Sequence, residues 1–159
     1  MLVEVCEKLE AWLTEQATER DADGILPLGG AEIFVYGQTA LIEAKLKLHL
    51  AQTMDVDAKV KANALVKEAF GKILKEYGRE LDPDSHLVSM PQETQYDPFF
   101  RGRHLRVFLA KPEYVILSKA KFAPEKNRAL VQEFLEKQAT EEFLELAKNY
   151  DVDLEKFLK

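Results

Sequence analysis

Two aspartates separated by one residue are the first candidates for chemistry in this sequence. Asp55 and Asp57 flank Val56, and if Met54 to Ala58 is extended, both carboxylates lie on one face, because side chains alternate along a strand. Neighbouring carboxylates repel each other, and a hard cation between them relieves that repulsion, so the pair predicts a site for Mg²⁺. The alternative is a surface turn whose acids cap the helix that follows.

A strand, a glycine and a helix start precede the aspartates. The apolar run Ile33–Tyr36 predicts a buried strand, Gly37 allows a sharp turn, and a helix is expected from about Thr39 to Leu50. A helix N-terminus attracts phosphate, and the Thr39 hydroxyl could cap the helix or bond a phosphate oxygen. The segment therefore predicts a nucleotide phosphate site. The alternative is a structural glycine at a strand–helix junction.

These segments resemble the nucleotidyltransferase superfamily with the DNA polymerase β type of fold. VYGQTALI and TMDVDAKV are similar to the strand, G-G/S-x-A-L and T-x-D-h-D patterns of small bacterial members from toxin–antitoxin and abortive-infection systems. Residues 113–119, EYVILSK, resemble the E-Y-L-x-x-x-K helix pattern of the same group. The resemblance covers roughly Gly29 to Leu135. It implies Mg²⁺-dependent transfer of a nucleotide from a nucleoside triphosphate to a hydroxyl of RNA or protein.

The resemblance also implies a role for individual residues. It makes Asp55 and Asp57 the catalytic and metal-binding pair, and assigns nucleotide or phosphate contacts to Gly37, Gln38, Thr39, Lys119 and Lys126. The alternative for the two lysines is that they are ordinary solvated residues of surface helices.

Departures from the family pattern support a second hypothesis. Gln38 stands where active relatives have Ser or Gly, and the strand predicted over Leu105–Leu109 contains no acid to serve as a third metal ligand. Pro124 and Asn127 depart from an R-x-K-D motif in which only Lys126 matches. Two acids alone bind a metal weakly, which favours a non-catalytic toxin–antitoxin partner or a nucleotide-binding interaction protein. A third hypothesis is an unrelated acidic α/β domain.

A basic cluster lies in the otherwise acidic chain. Arg101, Arg103 and Arg106 are candidate contacts for a nucleic-acid backbone or for the triphosphate. The alternative is a solvated loop running into an edge strand.

Length, charge and cysteine content limit the class of protein. The 159 residues fit one domain, and a net charge of −6 argues against a general nucleic-acid coat. The single cysteine, Cys6, excludes an internal disulfide framework and suits a cytoplasmic protein. The N-terminus carries acids and lacks a long apolar run, so neither a signal peptide nor a membrane span is expected. Nothing in the sequence specifies an oligomeric state.

The order of predicted elements gives the fold class. We expect a single α/β (α+β) domain, in which a small mixed sheet is flanked by helices over about residues 25–122 and a helical tail occupies about 123–159. The helix with the clearest apolar face is Asn63–Tyr77, with Asn63 as its cap. His86–Met90 is expected to be a strand, and Pro91–Arg103 a long connection.

Overall fold

The computed structural model describes residues 1–158 and confirms a mixed α/β architecture. Lys159, the last residue of the expected tail, lies outside the described residues. The strands are β1 Ala31–Tyr36, β2 Asp55–Lys61, β3 Glu80–Leu81, β4 Tyr96–Arg101 and β5 Leu105–Ala110. The helices are α1 Leu2–Ala22, α2 Gly37–Glu43, α3 Ala64–Glu76, α4 Pro112–Phe122, α5 Arg128–Lys137 and α6 Glu141–Asn149, with 3₁₀ turns at Ser85–Leu87 and Glu155–Phe157.

One mixed sheet organises these elements, with strand order β3-β2-β1-β5-β4. The central strand β1 is antiparallel to β2 and parallel to β5. Tyr36, the last residue of β1, pairs with Asp57, whereas Glu32 at the opposite end pairs with Arg106. The two ends of β1 therefore carry different sets of charged side chains.

The two faces of the sheet differ in composition because side chains alternate along each strand. One face carries buried apolar residues such as Ile33, Val35 and Val107, which belong to a core continuous with apolar residues of α1, α3, α5 and α6. The other face carries Phe34 and Phe108, each partly exposed. Burial of each large core side chain contributes about 1.5–3 kcal/mol, so helices and sheet stabilise each other through that one face.

Side-chain caps fix two helix starts. The Asn63 side chain accepts a hydrogen bond from the backbone N–H of Leu65 at 2.9 Å, which confirms the expected cap of α3. Thr140 caps α6 in the same way by accepting from Phe143 N–H at 3.2 Å. Each cap satisfies an otherwise unpaired N–H and typically contributes about 1 kcal/mol.

Three expected elements are wrong in extent or type. Helix α2 ends at Glu43 rather than Leu50, and Lys45 beyond it has the left-handed φ of 56°. No strand forms over His86–Met90; a 3₁₀ turn is followed by irregular chain from which Val88 and Met90 pack on the core. The expected connection Pro91–Arg103 contains β4, an edge strand that tolerates Pro98 because one side of its backbone needs no partner.

Among residues 1–158, no helix combines the length and the apolar composition that a bilayer span requires. The longest helix, α1, has 21 residues, but charged side chains recur along it.

Candidate functional site

A cleft of about 300 Å³ opens beside the C-terminal end of β1. Its lining includes Gly37 at the start of α2, Asp57 on β2, Lys119 on α4 and Lys126 just before α5. These four residues come from three separate segments of the sequence, and the motif resemblance singled out each of them. The fold thus brings a carboxylate and two ammonium groups to one concave surface.

The backbone of Gly37 determines how closely β2 approaches the turn. Gly37 has the left-handed φ of 68°, which side chains other than glycine rarely adopt. A Cβ at this position would lie 2.6 Å from Oδ2 of Asp57, closer than any real contact. The glycine is therefore required both by the turn and by the carboxylate that packs against it.

The carboxyl group of Asp57 binds a proton more tightly than an ordinary aspartate. Its pKa is raised from 3.8 to about 6, chiefly by burial and next by the charge of Asp82 and a hydrogen bond with it. Asp55 raises the pKa of Asp57 further, and the positive charge of Lys119 lowers it. Three acidic side chains therefore lie near one another, of which only Asp57 lines this cleft.

Asp82 is the carboxylate that the sequence did not reveal. It directly follows the two-residue strand β3, and its N–H donates to the carbonyl of Val56 at 2.9 Å, which brings it alongside β2. Leu81–Ser85 has the composition of a turn, and a two-residue strand is too short to show any periodicity. Only a residue-by-residue pairing with β2 could have identified Asp82.

The acidic side chains around Asp57 are of the type that binds Mg²⁺, but they do not form a complete coordination shell. Among residues 1–158, no group of three or more His, Cys, Asp or Glu side chains is arranged to hold a metal ion. Asp57 and Asp82 supply carboxylate oxygens, which Mg²⁺ prefers, and their mutual repulsion is the kind that a cation relieves. Asp55, exposed at the start of β2, adds negative charge nearby. Mg²⁺ usually keeps several waters, so an incomplete protein shell fits it.

The two lysines of the cleft make its opposite wall positive. Burial lowers the pKa of Lys119, the neighbouring charge of Lys126 lowers it further, and Asp57 acts in the opposite direction. Lys126 itself is exposed. An anion bound between the two ammonium groups would relieve their repulsion, which makes this wall suitable for phosphate.

The side chains of Gln38 and Thr39 are directed elsewhere. The amide nitrogen of Gln38 donates to the carbonyl of Ala51 at 3.0 Å, and the buried Thr39 hydroxyl donates to the carbonyl of Asp55 at 3.5 Å. Neither lines the cleft. The expected Thr39 cap is wrong, because α2 begins at Gly37 and Tyr36 occupies the cap position without a side-chain bond. Since α2 has only seven residues, its dipole is small, and we assign no phosphate site to the helix end alone.

A second and larger cleft, of about 1010 Å³, lies on the other side of the carboxylates. Its lining includes Tyr36, Lys59, Asp82 and Tyr96. The Tyr36 hydroxyl donates to the carbonyl of Ser85 at 2.7 Å, and its pKa is raised by burial and by the charge of Asp57. Because Asp57 lines one cleft and Asp82 the other, the acidic group lies at the boundary between two binding spaces.

The arginine cluster lies at the opposite end of the sheet. Arg106 pairs in register with Glu32 and forms an ion pair with it at 2.7 Å. Glu32 lies four residues before Tyr36 on β1, about 13 Å along the strand. This separation argues against contact of the three arginines with a triphosphate held near Asp57. Their contact with a nucleic-acid backbone stays a prediction.

Comparison of the chain with family models, curated proteins and solved structures found no match. The resemblance to nucleotidyltransferases thus stays a prediction that depends on the motif residues themselves. The structure itself, without the resemblance, shows a group of carboxylates between two clefts, one of which is lined by Lys119 and Lys126.

Proposed function

We propose that this protein is a nucleotidyltransferase that uses Mg²⁺ and a nucleoside triphosphate. The single observation that carries the proposal is that Gly37, Asp57, Lys119 and Lys126 line one cleft. In this cleft the triphosphate tail contacts Lys119 and Lys126, and its α-phosphate lies towards Asp57. A carboxylate on one side and two ammonium groups on the other is the charge arrangement that a metal-bound triphosphate requires.

The acceptor hydroxyl approaches from the larger cleft. Its oxygen forms a bond to the α-phosphorus, the bond from that phosphorus to the bridging oxygen breaks, and pyrophosphate leaves towards Lys119 and Lys126. Asp57, the carboxylate that lines the cleft beside the α-phosphate, accepts the hydroxyl proton as the new bond forms. Mg²⁺, held by Asp57 and Asp82, would supply neutralisation of the phosphate charge.

Binding of a nucleotide tests the first part of the proposal. Titration with a fluorescent triphosphate in the presence of Mg²⁺ is expected to show saturable binding that Asp57→Ala abolishes and Lys119→Ala weakens about tenfold. Asp21→Ala and Lys148→Ala change exposed residues of α1 and α6 and serve as matched controls. Binding that is unaffected by Asp57→Ala would overturn the proposal.

Transfer tests the second part. Each labelled nucleoside triphosphate is incubated with total RNA and with candidate partner proteins, and Asp57→Ala is expected to reduce incorporation at least about a thousandfold. The expected setting is a bacterial toxin–antitoxin system in the cytoplasm, where both classes of acceptor are present.

A specific observation favours a second candidate, a nucleotide-binding interaction protein without catalysis. Asn127, which replaces the acid of the family motif, lines the same cleft as Lys126. The Gln38 side chain is bonded to Ala51 and does not reach the cleft. Nucleotide binding that depends on Asp57, with no transfer to any acceptor, is the result that distinguishes this candidate from the enzyme.

A further inference from the structure

Two aromatic rings stack on the face of the sheet that points away from the buried residues Ile33, Val35 and Val107. Phe34 on β1 and Phe108 on β5 are paired in register, with ring centroids 5.1 Å apart and planes inclined by 14°. Tyr96 at the start of β4 packs against Phe34 in a T-shaped arrangement, with centroids 5.2 Å apart and planes at 76°. Both phenylalanines are partly exposed, and neither is a member of the hydrophobic core.

Packing of the core does not account for this arrangement. A cross-strand aromatic pair contributes about 0.2–1 kcal/mol to pairing of β1 with β5, which several aliphatic pairs would also supply. One face of each ring is covered by the other ring, and the second face of an aromatic ring is a surface on which unstacked nucleic-acid bases stack. The two rings lie on the central strand β1 and its neighbour β5, so a ligand that contacts them lies across the middle of the sheet.

Two lysines surround the rings with positive charge. Lys59 and Lys61 on β2 lie beside Phe34 and Glu32 in register, so they project from the same face. Both are exposed, and within residues 1–158 neither forms an ion pair. The ammonium group of Lys61 lies 5.0 Å from the centre of the Phe34 ring. In a chain with a net charge of −6, this local positive charge is complementary to a phosphate backbone.

The aromatic face continues into the larger cleft. Lys59 and Tyr96 belong to the face and also line that cleft, whose lining includes Asp82. Asp82 in turn contacts Asp57. A single strand of nucleic acid that lay across the rings would therefore have a continuous path towards the carboxylates of Asp82 and Asp57.

We propose that this face binds single-stranded nucleic acid. Bases stack on Phe34 and Phe108, Lys59 and Lys61 contact the phosphates, and the strand enters the larger cleft. Lys61 leaves the Phe34 ring when a base takes its place and then contacts the backbone. That the bound strand is the acceptor of the transfer rests on the proposed function, whereas the binding itself does not.

Fluorescence anisotropy with a labelled single-stranded RNA 12-mer of mixed sequence, without nucleotide or Mg²⁺, tests the proposal. Phe34→Ala and Phe108→Ala are each expected to weaken binding about tenfold, because each removes one stacking surface. Phe108→Tyr keeps a flat ring and is expected to bind as the natural protein does. Leu144→Ala, which truncates an exposed apolar residue of α6, is the matched control and is expected to have no effect.

The electrostatic part of the proposal is tested separately by salt dependence. Lys59→Ala and Lys61→Ala are each expected to reduce the slope of log K against log salt by about one, while Lys148→Ala on α6 leaves it unchanged. A duplex of the same sequence is expected to bind more weakly than the single strand, because its bases are not free to stack on the protein.

Two results would overturn the proposal: RNA binding that is equal in Phe34→Ala, Phe108→Ala and the natural protein, or equal affinity for duplex and single strand. Thermal unfolding of each variant establishes that it is folded, and Phe108→Tyr provides a binding test in a variant that retains the ring. RNA binding together with failure of Asp57-dependent nucleotide binding would overturn the proposed function and leave this inference standing. The reverse pattern would overturn this inference alone.

Discussion

The charged side chains at the two ends of β1 differ in whether other groups of the chain pair with them. At the end near Glu32, Arg106 forms an ion pair at 2.7 Å, and the Glu10 carboxylate accepts backbone hydrogen bonds from the turn between β4 and β5. At the end near Tyr36, Asp57 is close to two other acids, and its pKa is raised to about 6. The first arrangement is satisfied within the chain and stabilises the fold. The second is unfavourable within the chain, which supports the proposal that this end of β1 binds a ligand.

The largest expected effect on stability is at the satisfied end. The Glu10 carboxylate accepts from the N–H groups of Arg103, His104 and Leu105 at 2.7, 3.0 and 2.9 Å. Glu10→Ala removes all three bonds and is expected to lower the free energy of unfolding by about 2–3 kcal/mol, since bonds to a charged group are strong but these N–H groups can still reach water. Urea unfolding followed by circular dichroism measures the change.

The turn offers a second test of the same contact. A Cβ at Gly102 would lie 2.5 Å from the Glu10 carboxylate carbon, so Gly102→Ala is expected to displace Glu10 and cause part of the same loss. Glu7→Ala removes an exposed acid from the same helix and is expected to change stability by less than about 0.5 kcal/mol. Nucleotide binding at the other end of β1 should be unchanged in all three variants. If Glu10→Ala weakens nucleotide binding in the folded protein, the two ends are not independent.

A smaller effect is expected at the turn between β1 and α2. Gly37→Ala introduces a side chain at a φ of 68° and within 2.6 Å of Asp57 Oδ2, and is expected to cost about 2 kcal/mol. In the Asp57→Ala background the close contact is gone, so the same change is expected to cost only about 1 kcal/mol. The difference between the two backgrounds is the coupling between the glycine and the carboxylate. Equal costs would show that only the backbone conformation matters at Gly37.

Strong local patterns explain which parts of the fold the sequence predicts. The apolar runs at Ile33–Tyr36 and Leu105–Leu109 form β1 and β5, and Asn63 caps α3 as expected. Where pairing or packing decides the structure, the sequence is less informative. β4 contains Pro98 and forms because β5 offers an edge to pair with, and β3 consists of two residues held by β2.

The residues of the candidate site also fall into two groups: those that the sequence predicts and those whose position depends on strand pairing. Gly37 and Asp57 are found from the sequence because a strand register joins the two motifs, and Lys119 lies on a helix that packs near them. Asp82 is missed because its position depends on β3. The three arginines lie within six residues of one another in the sequence, yet the direction of β5 places them at the far end of the sheet. Sequence spacing selects the candidate residues, and the topology of the sheet determines which of their side chains lie close together.

The smallest expected effect has the opposite sign, because the acidic end destabilises the chain when no ligand is bound. The folded-state pKa of Asp57, about 6, exceeds its ordinary value of 3.8, so the folded state binds the proton more tightly. This group therefore lowers the free energy of unfolding as pH rises from about 4 to about 6, and the loss persists at higher pH. Asp57→Asn, which is neutral at every pH, is expected to stabilise the protein by about 1 kcal/mol at pH 8, a figure reduced because the carboxyl group is only half-buried.

The gain from Asp57→Asn should fade between pH 6 and pH 4, as the natural carboxyl group becomes protonated in the folded state. Addition of Mg²⁺ at pH 8 is expected to raise the melting temperature of the natural protein but not of Asp57→Asn, since a cation relieves the repulsion that the amide lacks. Asp21→Asn, at an exposed position of α1, is the control for a general charge effect. A variant less stable than the natural protein at pH 8 would mean that Asp57 is satisfied within the chain. The contrast between the two ends of β1 would then lose its functional meaning, because neither end would need a ligand.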